Sequence, residues 1–264
     1  MWDPTTYLRF GDERSRPFHD LVARVPAERP RAVVDLGCGP GQLTATLAER
    51  WPASRVRGLD SAPEMIERAR ALGAPVDFSV ADLRDWRPTG DEDVVISNAA
   101  LQWVPGHQAL LRRWAAELPA GAWLAVQVPG NFDAPSHRAL RAVAERPAWR
   151  SDVAPLLRAE PVDDPTDYAE LLTAAGCAVD AWETTYVHLL PARPAAEHPV
   201  LAWMDGTALR PVRAALDAAG WHAFRAELGV RLATAYPARR GQVAFPFRRV
   251  FVVAHTGGPV QENK

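Results

Sequence analysis

The sequence predicts an α/β fold: a mostly parallel sheet, helices on both of its faces, and an inserted, mostly helical cap. Three observations carry this. Short apolar runs of strand length alternate with helical patterns from residue 31 to residue 128. A glycine cluster, GCGPG, ends the first of those runs and opens a helix. The last run, Arg249 to His255, closes the pattern only near the end of the chain, after two segments that break the alternation.

Taken in order, residues 5–24 read as one helix with Leu8, Phe18, Leu21 and Val22 on its apolar face and Pro26 beyond it. Arg31 to Leu36 is the first strand. Gln42 to Arg50 is helical and stops before Pro52. Val56 to Leu59 is the second strand, ending at Asp60. The following SAPEMIERARALG is a marked helix, with Ser61 as its expected cap, Pro63 and Glu64 in its first turn and Gly73 at its end. Val76 to Val80 is strand-like and leads to Asp82. Asp93 to Ser97 is a strand, Gln108 to Leu118 a helix and Trp123 to Val128 a strand. A helix over 167–176 and a strand from Val179 to Leu190 follow. Such alternation builds βαβ units and a parallel, Rossmann-like sheet. Segments 130–165 and 193–246 fall outside it and read as a cap over the ligand edge, within one domain spanning 1–264; the tail GGPVQENK reads as disordered.

Bulk properties narrow the partners. A net charge of −2 gives no electrostatic footprint for nucleic acid. Basic charge is nearly all arginine, Lys264 being the only lysine. Cys38 and Cys177 lack metal-ligand spacing and suit a reducing, cytoplasmic setting. No run approaches the roughly 20 apolar residues of a membrane span, and the charged N-terminus is no signal peptide. The oligomeric state is not legible.

The turn Asp35-Leu36-Gly37-Cys38-Gly39-Pro40-Gly41 carries the chemistry. Gly37 suits a tight turn with positive φ, while Gly39 and Gly41 let a ligand approach the backbone. A dinucleotide site wants G-x-G-x-x-G, whereas the spacing here is G-x-G-x-G. Asp35, at the strand end, suits a ligand with an ammonium group. Asp60 ends the second strand, where a carboxylate accepts hydrogen bonds from ribose hydroxyls. Asp82 could meet an adenine amino group, with the backbone amide of Leu83 beside it. Together these favour S-adenosylmethionine (SAM) over a nicotinamide cofactor. Asp35 and Asp60 could equally cap the helices that follow.

With these residues in view, the chain resembles the class I methyltransferases, and more closely the trans-aconitate methyltransferase family. The likeness runs from WDPTTYL to FVVAH, and its more specific pieces are the N-terminal block, LQWVP, WETTYVH and GTALRP. It implies SAM binding by Asp35, Gly37, Gly39, Gly41, Asp60, Ser61, Met65, Asp82 and Leu83, joined by Asn98 and Gln102. It also implies that residues 1–25 form a helical lid, with Tyr7 and Arg16 as contacts. The implied reaction methylates one carboxylate of a planar tricarboxylic acid.

That chemistry needs no general base, because a carboxylate is ionised at pH 7. No catalytic side chain and no metal are expected; alignment does the work. Arg210 is the first candidate to hold the acid, then Tyr186 and Arg249, with His188, Gln127 and Asn131 as further hydrogen-bonding candidates and Trp103 as pocket wall. Arg249 could instead be a solvated strand residue, and His188 a satisfied structural histidine. Alternatives are a different small acid, a natural-product hydroxyl with His188 or His107 as base, or a SAM-binding protein without catalysis.

Overall fold

The computed structural model describes residues 11–157, 162–193 and 196–257. Helix α1 (Gly11–Ala23) is followed by β1 (Ala32–Leu36), α2 (Gln42–Arg50), β2 (Arg55–Asp60), α3 (Pro63–Ala71) and β3 (Asp77–Val80). Then come β4 (Glu92–Asn98), α4 (His107–Glu117), β5 (Trp123–Pro129), α5 (Pro135–Ala144) and α6 (Pro165–Thr173). The chain continues through β6 (Cys177–Pro191), α7 (Pro199–Asp205), α8 (Arg210–Ala215), α9 (Ala218–Ala235) and β7 (Gln242–Thr256).

Seven strands make one sheet in the order β3-β2-β1-β4-β5-β7-β6. Strands β1 to β5 pair in parallel, and β7 runs antiparallel to β5. The expected Rossmann-like α/β sheet is therefore present. Its strand order reverses between β1 and β4, and the loops leaving those strands bound the crevice where open α/β sheets take ligands.

Contacts divide the chain into two units. The larger holds residues 15–129, 162–184 and those from 249 onward. All five residues of β1 are buried, as a strand covered on both faces must be. On one face Val34, Leu36, Val95, Leu124, Val126 and Val252 pack with Leu111 and Trp114 of α4 and with Tyr168 and Leu172 of α6. Trp86 meets Trp114 edge to face at 5.6 Å. Behind the glycine turn, Cys38, Ile66, Ala69 and Phe78 form a smaller cluster.

The smaller unit holds 11–14, 130–157, 185–193 and 196–248 among the described residues. It has its own core: Leu140 and Val143 of α5, Trp203 and Met204 of α7, Phe224, Leu228 and Leu232 of α9, and Phe245 and Phe247 of β7. Strands β6 and β7 contribute residues to both units.

Several boundaries differ from expectation. The first helix is described from Gly11, and Tyr7 and Leu8 lie outside the described residues, as does the tail beyond Gly257. The last strand starts at Gln242, so the end of the expected helical segment 193–246 is β. Val243, Phe245 and Phe247 are buried while Gln242, Ala244 and Pro246 are exposed, a period of two that no helix satisfies. Helix α6 begins at Pro165, earlier than expected, where the Asp164 amide donates to Asp167 Oδ2 at 3.3 Å. Ser61 does not cap α3. Ala62 is the N-cap, Pro63 fills the first turn, and the Ala62 amide donates to Asp60 Oδ1 at 2.9 Å.

Phe78 fixes the distance between the glycine turn and the sheet. A Cβ on Gly58 would lie 2.7 Å from its ring and 3.1 Å from Cys38 Sγ, and one on Gly41 would lie 2.8 Å from the same ring. Gly58 needs no unusual φ, so its role is purely steric. Gly58→Ala should cost about 1–3 kcal/mol through overpacking, read as a lower midpoint in urea unfolding. Adding Phe78→Leu should recover part of the loss; an additive double variant would refute the contact.

Candidate active site

The C-terminal edge of the parallel strands presents Asp60 from β2, Asp35 and the glycine turn from β1, Asn98 from β4 and Gln127 from β5. All belong to the larger unit. Gly37, Gly39 and Gly41 have φ of 84, 56 and 82°, in the left-handed region that penalises any side chain. The Gly37 and Cys38 amides both donate to the Leu59 carbonyl, at 2.8 and 3.0 Å, which ties the turn to β2. Asp60 completes the tie. Its Oδ2 accepts from the Gly39 amide at 2.9 Å and its Oδ1 from Ala62.

Asp35 is 3% exposed and accepts a 2.6 Å hydrogen bond from Thr44 Oγ1. Burial pushes its carboxyl up to about 7; the Thr44 bond opposes the rise and the charge of Asp60 adds to it. The three glycines divide their work. A Cβ on Gly39 would have no heavy atom within 4 Å, so a ligand can lie against that backbone, whereas one on Gly37 would be 2.3 Å from Ala100 Cβ. At Gly41 an added Cβ would lie 2.7 Å from Ala69 Cβ and 2.8 Å from the Phe78 ring, so packing also requires a glycine there.

The remaining cofactor candidates are spread along the same loops. Asp82 is engaged by Arg84, whose guanidinium bonds both carboxylate oxygens and whose amide donates to Oδ1 at 2.8 Å. Arg84 also holds the Asp82 carboxyl below the usual carboxylate range. Leu83 is half-buried against the core, Ser61 is exposed and Met65 half-buried. Gln102 is 7% exposed, and its amide donates to the Ala99 carbonyl at 2.6 Å, so it holds the turn after β4. Arg16 is exposed and pairs with Asp20 at 3.8 Å. Tyr7 lies outside the described residues.

The acid candidates fall into two sets. In the larger unit, Gln127 is fully buried, Arg249 is 6% exposed and Trp103 is 56% exposed. Trp103 is therefore no part of a core. The smaller unit carries Asn131, Tyr186, His188 and Arg210. Tyr186 and His188 do lie on one face of β6, but it is the buried face, while Val187 and Leu189 are exposed. His188 stacks on Trp203 at 4.7 Å, the setting of a core histidine. Asn131 is 4% exposed, and its Nδ2 has no hydrogen-bond partner among the described residues. Arg210 is exposed at the start of α8.

Sequence reasoning missed two residues. Thr44, one turn into α2, bonds Asp35; a threonine at that spacing was the available signal. Ala99 has φ of 54°, a left-handed conformation for a residue with a Cβ, and lies between Asn98 and the 3-10 turn Leu101–Trp103. Alanine carries no turn preference, so nothing in the sequence marks it.

These residues fit SAM. Asp35 offers a buried carboxylate to an ammonium, Gly39 an open backbone, and Asn98 Oδ1 is buried without a hydrogen-bond partner. No group of three or more metal-ligating side chains occurs among the described residues, and no helix there is long and apolar enough to cross a membrane. One consequence concerns stability. With its folded-state value raised to about 7, Asp35 contributes stability that is fully present below the ordinary carboxylate range and is lost as pH rises through 7. Asp35→Asn removes that loss. Its melting temperature relative to wild type should climb from about pH 4 to about pH 7 and level off above that, and a difference constant with pH would contradict the raised carboxyl.

Comparison with known proteins agrees with this geometry. Residues 33–121 match a family model described as a methyltransferase domain. Among solved structures, the YcgJ protein from Bacillus subtilis superposes with a TM-score of 0.58 at 12% identity, covering 91% of this chain and 98% of that one. A phosphoethanolamine N-methyltransferase from Haemonchus contortus in complex with S-adenosyl-L-methionine gives 0.53 at 14% identity, covering 91% of this chain and 52% of that one. Sequence relatives are much nearer. The trans-aconitate 2-methyltransferase of Rhodococcus jostii is 58% identical over 96% of this chain and 99% of its own length. That of Mycobacterium tuberculosis is 53% identical over 98% of both. Likeness of that degree along almost the whole length makes this chain a member of the trans-aconitate 2-methyltransferase family.

Proposed function

We propose that the chain transfers a methyl group from SAM to one carboxylate of trans-aconitate, giving a monomethyl ester. The observation that carries this is the near-full-length identity to enzymes named for that reaction. Bound SAM supplies an electrophilic methyl on sulfur. Asp35 takes the ammonium of its amino-acid end, which stabilises the ionised carboxylate that burial otherwise disfavours. Each Asp60 oxygen already accepts one backbone N–H and keeps a second lone pair for a ribose hydroxyl. Asn98 Oδ1 accepts a further donor of the ligand. Gly37, Gly41, Ser61, Met65, Asp82, Leu83 and Gln102 shape or line the same loops.

The acceptor carboxylate is already ionised, so the protein's task is alignment and the exclusion of water. Arg210 is exposed, and its guanidinium makes no hydrogen bond or ion pair among the described residues, which suits capture of a carboxylate. Asn131 and Tyr186 of the same unit are assigned with it to the acid, and segments 130–165 and 193–246 are read as the cap. The buried, unbridged thiols Cys38 and Cys177 are in keeping with a cytoplasmic setting, and a net charge of −2 with a small-molecule rather than a nucleic-acid partner.

The test incubates the protein with SAM and a panel of di- and tricarboxylates, following S-adenosylhomocysteine and ester mass. Trans-aconitate should yield one ester per S-adenosylhomocysteine. Binding of SAM without turnover of any acid would overturn the reading. Asp60→Ala should weaken SAM at least tenfold, whereas Arg210→Ala should raise the KM for the acid with SAM affinity unchanged. Equal loss of both affinities in the Arg210 variant would refute that assignment.

A further inference from the structure

We propose that Gln127 belongs to the acceptor site, its amide N–H groups donating to the carboxylate that receives the methyl. The inference rests on the carboxyl-methylation reading above. Gln127 is 0% exposed, and neither its Nε2 nor its Oε1 has a hydrogen-bond partner among the described residues. Several other buried polar side chains of the same edge do have protein partners. Asp35 has Thr44, Ser97 Oγ donates to the Leu36 carbonyl at 2.9 Å, and Gln102 has Ala99. A buried amide left without partners is a cost that folding alone gives no reason to keep.

Register locates that amide. Gln127 lies beside Asn98 of β4, whose Oδ1 is likewise buried and without a partner. On its other side Gln127 faces Phe251, and Pro129 faces Arg249. Residues directly opposite in an antiparallel pair project to one side, and so do residues two apart, so Gln127 and Arg249 share a sheet face at the C-terminal edge. The edge therefore runs from the carboxylates of β2 and β1, which suit the cofactor, through Asn98 to an amide and a guanidinium.

Chemistry separates the roles of those two groups. In the transfer, a lone pair of the acceptor carboxylate forms the new O–CH3 bond while the methyl–sulfur pair retires onto sulfur; no proton moves. A guanidinium bound bidentately to the attacking carboxylate would draw off the charge that makes it a nucleophile. A neutral amide orients the same oxygen and withdraws less. Gln127 thus suits the reacting carboxylate, and Arg249 suits one that does not react.

The test compares wild type with Gln127→Met, similar in length but without a donor, and Gln127→Asn, which keeps an amide. For each, kcat/KM for trans-aconitate, SAM Kd by calorimetry and the melting temperature are measured. In the Met variant kcat/KM should fall at least tenfold, with SAM Kd within twofold and melting temperature equal to or above wild type. The Asn variant should retain more activity than Met. Unchanged kcat/KM in the Met variant overturns the proposal, as does a parallel loss of SAM affinity or a melting temperature lowered by several degrees with acid kinetics intact. A wild type that methylates no acid overturns the carboxyl-methylation reading, and this assignment with it; active wild type with an equally active Met variant removes this assignment alone.

Discussion

A carboxylate held out of water beneath a glycine turn is the constraint on which the larger unit depends. Asp35 must sit on β1 within reach of Thr44 in α2, which requires the chain to reverse from strand to helix in a few residues. Three left-handed positions within five residues make that reversal, and each is a glycine. The turn must then be pinned to β2, and both the Leu59 carbonyl and the Asp60 carboxylate are spent on its amides. Phe78, on β3, sets how close that turn can lie to the sheet. One buried charge thereby organises three consecutive strands. Such an arrangement is costly without a cation and favourable with one, as a site for a ligand bearing an ammonium group requires.

This part of the molecule was legible because its devices are local. Glycine spacing, an aspartate at each strand end and apolar runs of strand length are features of single segments, and they led to the sheet, the turn and both cofactor carboxylates. Where local patterns were ambiguous, the reading slipped. Ser61 has the chemistry of a cap, but Asp60 lies closer to the amide of Ala62 and takes it. Spacing alone gives Gly41 the same part as Gly39, letting a ligand approach the backbone, whereas close contact with Ala69 and Phe78 also demands a glycine there.

The smaller unit was harder to read for a physical reason. On β6 the side chains turned inward are Tyr186, His188 and Leu190, while Val187 and Leu189 face out. A polar–apolar alternation is thus inverted, and hydropathy alone points the strand the wrong way. The aromatic cluster of Trp203, Phe245 and Phe247 accounts for it, since an imidazole stacks on an indole as a flat ring. Likewise Gln242 to Pro246 lie at the end of the segment expected to be helical, yet they form the start of β7, with Pro246 at an exposed position.

The histidines supply an independent argument about the chemistry. A hydroxyl acceptor would want a general base, and His107 and His188 were the candidates. His107 is fully buried, with Nε2 2.7 Å from the Tyr168 hydroxyl and Nδ1 3.3 Å from the Val104 carbonyl. Nε2 thereby holds α4 against α6, and Nδ1 is engaged by the turn before α4. His188 is committed to Trp203. His137 is held down to about 4, chiefly by burial and then by the charge of Arg141, so it stays neutral at physiological pH but is a poor proton acceptor. A fold that ties its interior histidines into packing suits an acceptor that arrives already ionised. What such a site has to provide instead is placement, and that is the task for which the amides and guanidinia of the sheet edge are suited.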